Sequence, residues 1–278
     1  MYTGGSSPYK IMVQSTVSGK PKEVLDGDNS CYLSSGHIVY AENNNLYAVP
    51  FDHKKLKRTG ISFRIAKGIL RSPNVPQYAI SDSGILIFIS GQSNQAHLEW
   101  YNRQGDTIGS VGIPGSYRQL ALSPNEDKII VSETSLDGRG LSIFDLNRDG
   151  FKSPIVSTLL NRGDPIWSPD EKYIAFSEVY ENRNAIYRKL FSEEGEGELL
   201  LKPDEGSVYA EDWSPDGEYI VYLNVSDTMK IYKLFLSGDK NSELIHEGQD
   251  VYDEPNVSPN GKWIAYDSTE SGMFTKSG

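Results

Sequence analysis

The chain has 278 residues, 37% of them hydrophobic and 23% charged, a globular composition that excludes disorder and allows a sizeable core. Its 38 acidic and 27 basic residues give a net charge of −11, which is expected to repel nucleic acid and anionic membranes, because both need Lys and Arg to neutralise phosphate. One cysteine, Cys31, excludes an internal disulfide, and no apolar run approaches the ~18 residues of a membrane-inserting span.

The first ten residues, MYTGGSSPYK, lack the basic start and apolar centre of a signal peptide. The segment 10–25, KIMVQSTVSGKPKEVL, then reads as a strand, a hairpin turn and a second strand. YLSSGHIVYAEN around Ser34 and AISDSGILIFIS around Ser81 follow, each an alternating strand after a turn. Four sharper copies come next: LSPNEDKIIVSE, WSPDEKYIAFSE, WSPDGEYIVYLN and VSPNGKWIAYDS. Aligned on Ser34, Ser81, Ser123, Ser168, Ser214 and Ser258, the six units are spaced by 47, 42, 45, 46 and 44 residues.

A period of this length is the signature of propeller blades, each a four-stranded sheet that buries its faces against its neighbours. In 207–247, YAEDW reads as the inner strand, SPDG as a tight turn, EYIVYLN and KIYKLFL as the middle strands, and SELIHE as the outer edge. Trp167 and Trp213, at the ends of inner strands, are expected to wedge between neighbouring blades. The last unit stops after two strands, and 10–25 lines up with the third and fourth strands of 230–245. The sequence therefore predicts an all-β, six-bladed β-propeller of four-stranded antiparallel blades, closed by a composite blade of residues 8–26 and 253–269. The other blades are expected near 29–70, 75–115, 117–161, 163–203 and 207–248, forming one domain with no open edge and a monomeric ring.

Chemistry is sparse. No G-x-S-x-G occurs, and His37, His53, His97 and His246 fall at unlike blade positions, so no catalytic set and no cofactor site is read. Asp145, Asn147 and Asp149 in DLNRDG match the opening of a calcium loop, but Val156 stands where the bidentate Glu belongs, and a hairpin turn explains the same stretch. Asn224 and Asn256 fit the N-glycosylation tripeptide. A ligand is expected at the mouth of the central channel. Four places before each aligned serine stand Ser30, Gln77, Gln119, Asp164, Ala210 and Glu254, and one place earlier Asn29, Pro76, Arg118, Gly163, Tyr209 and Asp253. Two readings stay open: polar residues that merely solvate the channel, or an acidic funnel of Asp164, Glu211, Asp253 and Glu254, with Arg118 and Tyr209, for a cation, a basic peptide or a hydroxylated ligand.

The stretches WSPDEKYIAF, WSPDGEYIVY and VSPNGKWIAYDSTESG resemble the repeat of TolB-type, WD-repeat-like β-propellers over nearly the whole chain. In addition, 34–60 and 98–124 are similar to the propeller that follows the kinase domain and membrane span of some bacterial serine/threonine kinases. That resemblance implies a bacterial sensor or protein-binding domain in the periplasm or elsewhere outside the cytoplasm. This chain carries no kinase motif, so it is expected to be an excised domain or a stand-alone relative. The leading expectation is a non-enzymatic binding or sensing propeller whose partner is a protein, a peptide or a small molecule. The alternative is a propeller enzyme or enzyme-associated domain, such as a polysaccharide lyase or a peptidase-gating ring.

Overall fold

The computed structural model describes residues 9–17, 20–71, 75–81, 83–92, 95–102, 106–135, 138–148, 150–156, 162–193, 195–238, 240–248 and 252–269. It is an all-β, six-bladed propeller of antiparallel sheets. The inner strands are Asp28–Leu33, Tyr78–Ile80, Tyr117–Leu122, Arg162–Trp167, Ser207–Trp213 and Tyr252–Val257, in blades 1 to 6. Blades 2 to 5 each run outward in chain order through four strands. Blade 1 departs from this: its third strand, Asn45–Asp52, pairs with the short Lys57–Arg58 at one end and with Phe63–Lys67 at the other.

The repeated serine explains the repeat. Ser168 and Ser214 are nearly wholly buried, and each hydroxyl accepts the N–H five residues on, from Tyr173 and Tyr219, at 2.9 Å. Ser168 also donates to Asp170 Oδ1 at 2.7 Å, and Ser258 to Asn260 Oδ1 at 2.8 Å. One hydroxyl thus satisfies the turn's interior, and the Asp or Asn two places on is its acceptor. That accounts for the Ser-Pro-Asp/Asn grammar without reference to ligands.

The ring closes as the alignment requires. Blade 6 has the order Lys22–Asp26, Lys10–Ser15, Trp263–Ser268, Tyr252–Val257, combining both ends of the chain. Lys10 pairs with Ser268, ten residues after Ser258, and Lys230 pairs with Asn224, ten residues after Ser214. The N-terminal strand therefore sits in the register that its counterpart holds in blade 5.

The period-2 pattern of the strands buries both faces. In blade 6, Met12, Ile264 and Tyr266 pack on Tyr219, Val221 and Ile231 of blade 5, whereas Ile11, Val13 and Ala265 pack on Ile38, Tyr40 and Val49 of blade 1. Similar apolar clusters fill the four other junctions. Trp167 wedges in this way: it packs with Ile130 and Ile143 of blade 3, donates to Ala121 O of that blade at 3.3 Å, and meets the ring of Phe191 at 5.3 Å. Trp213 packs with Ala175 and Ile186 of blade 4.

Candidate functional site: the central channel

The six inner strands surround a channel of about 900 Å³. Its lining includes Gln77, Arg118, Gln119, Asp164, Tyr209, Glu211, Asp253 and Glu254, whereas Ser30 and Gly163, also singled out in the sequence, do not border it. Local geometry puts them there. The inner strands of blades 4, 5 and 6 carry a bulge at Gly163/Ile166, Ala210/Asp212 and Asp253/Asn256. Asp164 and Glu254 sit on theirs with φ near +50°, a left-handed conformation.

Blade 1 needs a correction. Its bulge lies between Asp28 and Cys31, and Asn29, with φ 49°, holds the place of Asp164 and Glu254. Leu33, not Ser34, occupies the turn position, because the Leu33–His37 connection is shorter than the Ser-Pro-Asp turns. Ser30, expected on the rim, is wholly buried.

The charges are unevenly spread around the ring. Asp164 on blade 4 and Gln119 on blade 3 are doubly linked: Gln119 Nε2 donates to Asp164 Oδ1, and the Asp164 N–H donates to Gln119 Oε1 at 2.9 Å. Burial raises the Asp164 carboxyl above its ordinary pKa, while Gln119, Ser177 and Arg139 oppose the rise. Arg139 was not singled out in the sequence. It stands near the start of the third strand of blade 3, Gly138–Asp145, and its Nη1 lies 3.1 Å from where a side chain on Gly163 would begin. The missing side chain at Gly163 makes room for it.

Blades 5 and 6 supply the negative wall. Enclosure by protein, followed by repulsion from Glu254, Asp253, Asp164 and Asp212, holds Glu211 well above the usual carboxylate range. Burial and then Asp253, Asp164 and Asp28 do the same to Glu254, and Asp253 is pushed up to about 6. Each carboxylate opens partly onto the channel, and among the described residues no ion pair compensates Glu211 or Glu254. Tyr209 OH accepts from Asn184 Nδ2 at 2.9 Å, Arg118 Nε donates to Thr134 Oγ1 at 3.1 Å, and Gln77 Nε2 donates to Val75 O at 2.9 Å.

Other candidates lie elsewhere. Asp145 Oδ1 accepts the Asn147 N–H at 3.0 Å within the short helix Leu146–Arg148, and Asn147 Nδ2 reaches Asp127 at 3.3 Å, as in a turn; Asp149 lies outside the described residues. Among the described residues, no three His, Cys, Asp or Glu side chains stand close enough together to hold a metal ion. His53 meets Tyr32 OH at 3.2 Å, His37 meets Ser35 Oγ at 3.2 Å, and His246 packs on Tyr266; none of these three histidines lines the channel, although Tyr32 does.

No protein-family model matches the sequence. An uncharacterized protein of Agrobacterium fabrum is 32% identical over 120 residues, a stretch covering 42% of this chain and 39% of that protein. Among solved structures, a TolB-type protein of Agrobacterium tumefaciens superposes with a TM-score of 0.74 at 15% identity, covering 95% of this chain and 99% of its own. TolB of Acinetobacter baumannii gives 0.62 at 15% identity, over 89% of this chain and 66% of that one. An oligogalacturonate lyase of Vibrio parahaemolyticus gives 0.58 at 12% identity, over 88% and 80%. Binding proteins and enzymes share this architecture, so the likeness speaks to fold alone. In fold, the chain is a TolB-like six-bladed β-propeller.

Proposed function

We propose that this chain is a non-enzymatic binding or sensing propeller whose channel mouth takes a ligand bearing positive charge, such as a basic peptide or a polyamine. The observation that carries this reading is the wall of Glu211, Asp253 and Glu254, three carboxylates on the channel lining with no ion-pair partner among the described residues; burial raises all three, and repulsion adds to it, from Glu254 and Asp253 at Glu211 and from Asp253 at Glu254. An ammonium or guanidinium group placed between them would relieve that repulsion, and the focusing effect of a channel would strengthen the attraction. The resemblance of 34–60 to kinase-linked sensor propellers supports a sensing role outside the cytoplasm. The acidic lining argues against a polyuronide substrate, whose own carboxylates it would repel.

Titration calorimetry with an amidated Lys-Arg tetrapeptide at low salt tests the proposal. Saturable binding that weakens about tenfold in Glu254→Gln, the loss of roughly one 1.4 kcal/mol charge contact, supports it. Binding equal in wild type and the Glu211→Gln/Glu254→Gln pair would overturn it. Chemical turnover of the peptide, lost in the same variants, would establish the enzymatic alternative instead.

A further inference from the structure

A run of unmixed positive charge lies away from the channel, on the outer edge of blade 1. Between His53 and Lys67 the chain carries Lys54, Lys55, Lys57, Arg58, Arg64 and Lys67 and no acidic residue, although the whole chain is strongly acidic. All six cations are exposed. Two apolar side chains stand among them, Ile61 at 88% exposure and Phe63 at 48%. Phe63–Lys67 is an edge strand: it pairs with Asn45–Ala48 on one side, from Asn45↔Lys67 to Ala48↔Phe63, and with no described strand on the other.

Lysines on sheet edges often serve only to discourage pairing. Two observations go beyond that role here. The other outer strands are not uniformly basic: Lys22–Asp26 holds Glu23 and Asp26, Glu198–Leu201 starts with Glu198, and Ser242–Gly248 holds Glu243 and Glu247. In Phe151–Val156, Lys152 is paired with Glu133 at 2.6 Å. A strand built to repel partners also has no use for Ile61 and Phe63 beside its cations.

We infer that the edge of blade 1 is a docking site for an acidic, extended polypeptide segment of a protein partner, which adds to Phe63–Lys67 as a further strand. Main-chain hydrogen bonds would supply affinity, alternate acidic side chains would meet Arg64, Lys67 and Lys57, and an apolar residue would cover Ile61 and Phe63. This inference does not depend on the channel.

The test uses fluorescence anisotropy with a labelled 12-residue peptide alternating Glu with Val and Leu, on the full chain. Binding should weaken as salt rises, because the charges are exposed. Arg64→Glu/Lys67→Glu should weaken it about tenfold or more, and Ile61→Ser/Phe63→Ser should weaken it independently. All four side chains are exposed, so both double variants should keep the wild-type melting temperature. The same peptide N-methylated at alternate residues should lose binding. Equal binding of the N-methylated peptide would overturn strand addition, and binding unchanged by charge reversal would overturn the site. Co-sedimentation with vesicles containing 30% phosphatidylserine, in the absence of peptide binding, would replace the polypeptide partner with a membrane and overturn the proposal.

Discussion

The carboxylate of Asp212 in blade 5 accepts the main-chain N–H of Val257 in blade 6 at 2.7 Å, while its other oxygen accepts the N–H of Trp213 at 2.8 Å. On the far side of blade 6, Asp267 accepts the N–H of Asn29 in blade 1. The composite blade is therefore held on both flanks by a carboxyl group that reaches across a junction, half-buried at Asp212 and buried at Asp267. Removing either acceptor leaves a main-chain donor unpaired at a blade interface. Asp212→Ala should cost about 1–3 kcal/mol in chemical denaturation, and Asp212→Asn, which keeps one acceptor, should cost less.

These groups give the protein an unusual response to pH. Burial pushes Asp212 up to about 7 and Asp253 up to about 6, and it holds Asp267, Glu211 and Glu254 well above their ordinary values. An acid whose pKa is higher in the folded state binds its proton more tightly there. Such a group favours folding below its folded pKa and loses that contribution as pH rises from its unfolded value, near 4, toward the folded one. Asp170, lowered to about 2 first of all by its Ser168 hydrogen bond, works in the opposite sense, but it is exposed and acts below pH 4. The melting temperature should therefore rise as pH falls from 8 to 5.5, as differential scanning calorimetry would record. A flat or falling profile would contradict the placement of these carboxyl groups.

Neutralising the acidic wall should separate stability from binding. Glu211→Gln or Glu254→Gln removes a carboxylate that its neighbours repel. Each variant should melt above wild type at pH 8, with the difference shrinking at pH 5.5, while affinity for the basic peptide falls. A variant that melts lower at pH 8 would mean that the carboxylate is compensated within the fold.

Ring closure can be weighed by comparing equivalent core residues. Ile11 pairs with Asp267 and Ile231 with Leu223, both positions are wholly buried, and they occupy the same place in blades 6 and 5. Ile11→Ala and Ile231→Ala should each cost about 2–5 kcal/mol in urea denaturation. A much smaller cost at Ile11 would show that the N-terminal strands contribute less than a continuous blade does.

The turns offer a gain. Gly217 and Gly261 have φ 78° and 69° in their turns, and the equivalent position in blade 3 is Glu126 with φ 61°. A non-glycine residue costs about 1–2 kcal/mol in the left-handed region, whereas glycine costs about 0.5–1 kcal/mol in chain entropy. Glu126→Gly should therefore be neutral or raise stability by up to about 1 kcal/mol in thermal unfolding.

Fold was legible because it is written locally and repeatedly. The Ser-Pro-Asp turn, the period-2 strands and the interval near 45 residues each mark one blade, and the unfinished last unit names its own completion at 10–25. The identity of the channel residues followed from the same alignment, since strand position alone places Asp164 and Glu254. Where the repeat was weak the count slipped: the shorter turn of blade 1 moved Asn29, rather than Ser30, to the rim.

What the sequence left open depends on contacts between blades. Nothing in the sequence near Arg139 indicates that it reaches Gly163 in the next blade, or that Asp212 and Asp267 bridge the junctions beside the composite blade. The raised pKa values of Glu211 and Glu254 likewise arise only when separate inner strands enclose these carboxylates and bring them near others around one axis. Local pattern is enough to specify turns and strands, because their hydrogen bonds and side-chain faces are set within a few residues. Charge repulsion and burial depend on distances between residues remote in sequence, and those exist only once the ring has closed.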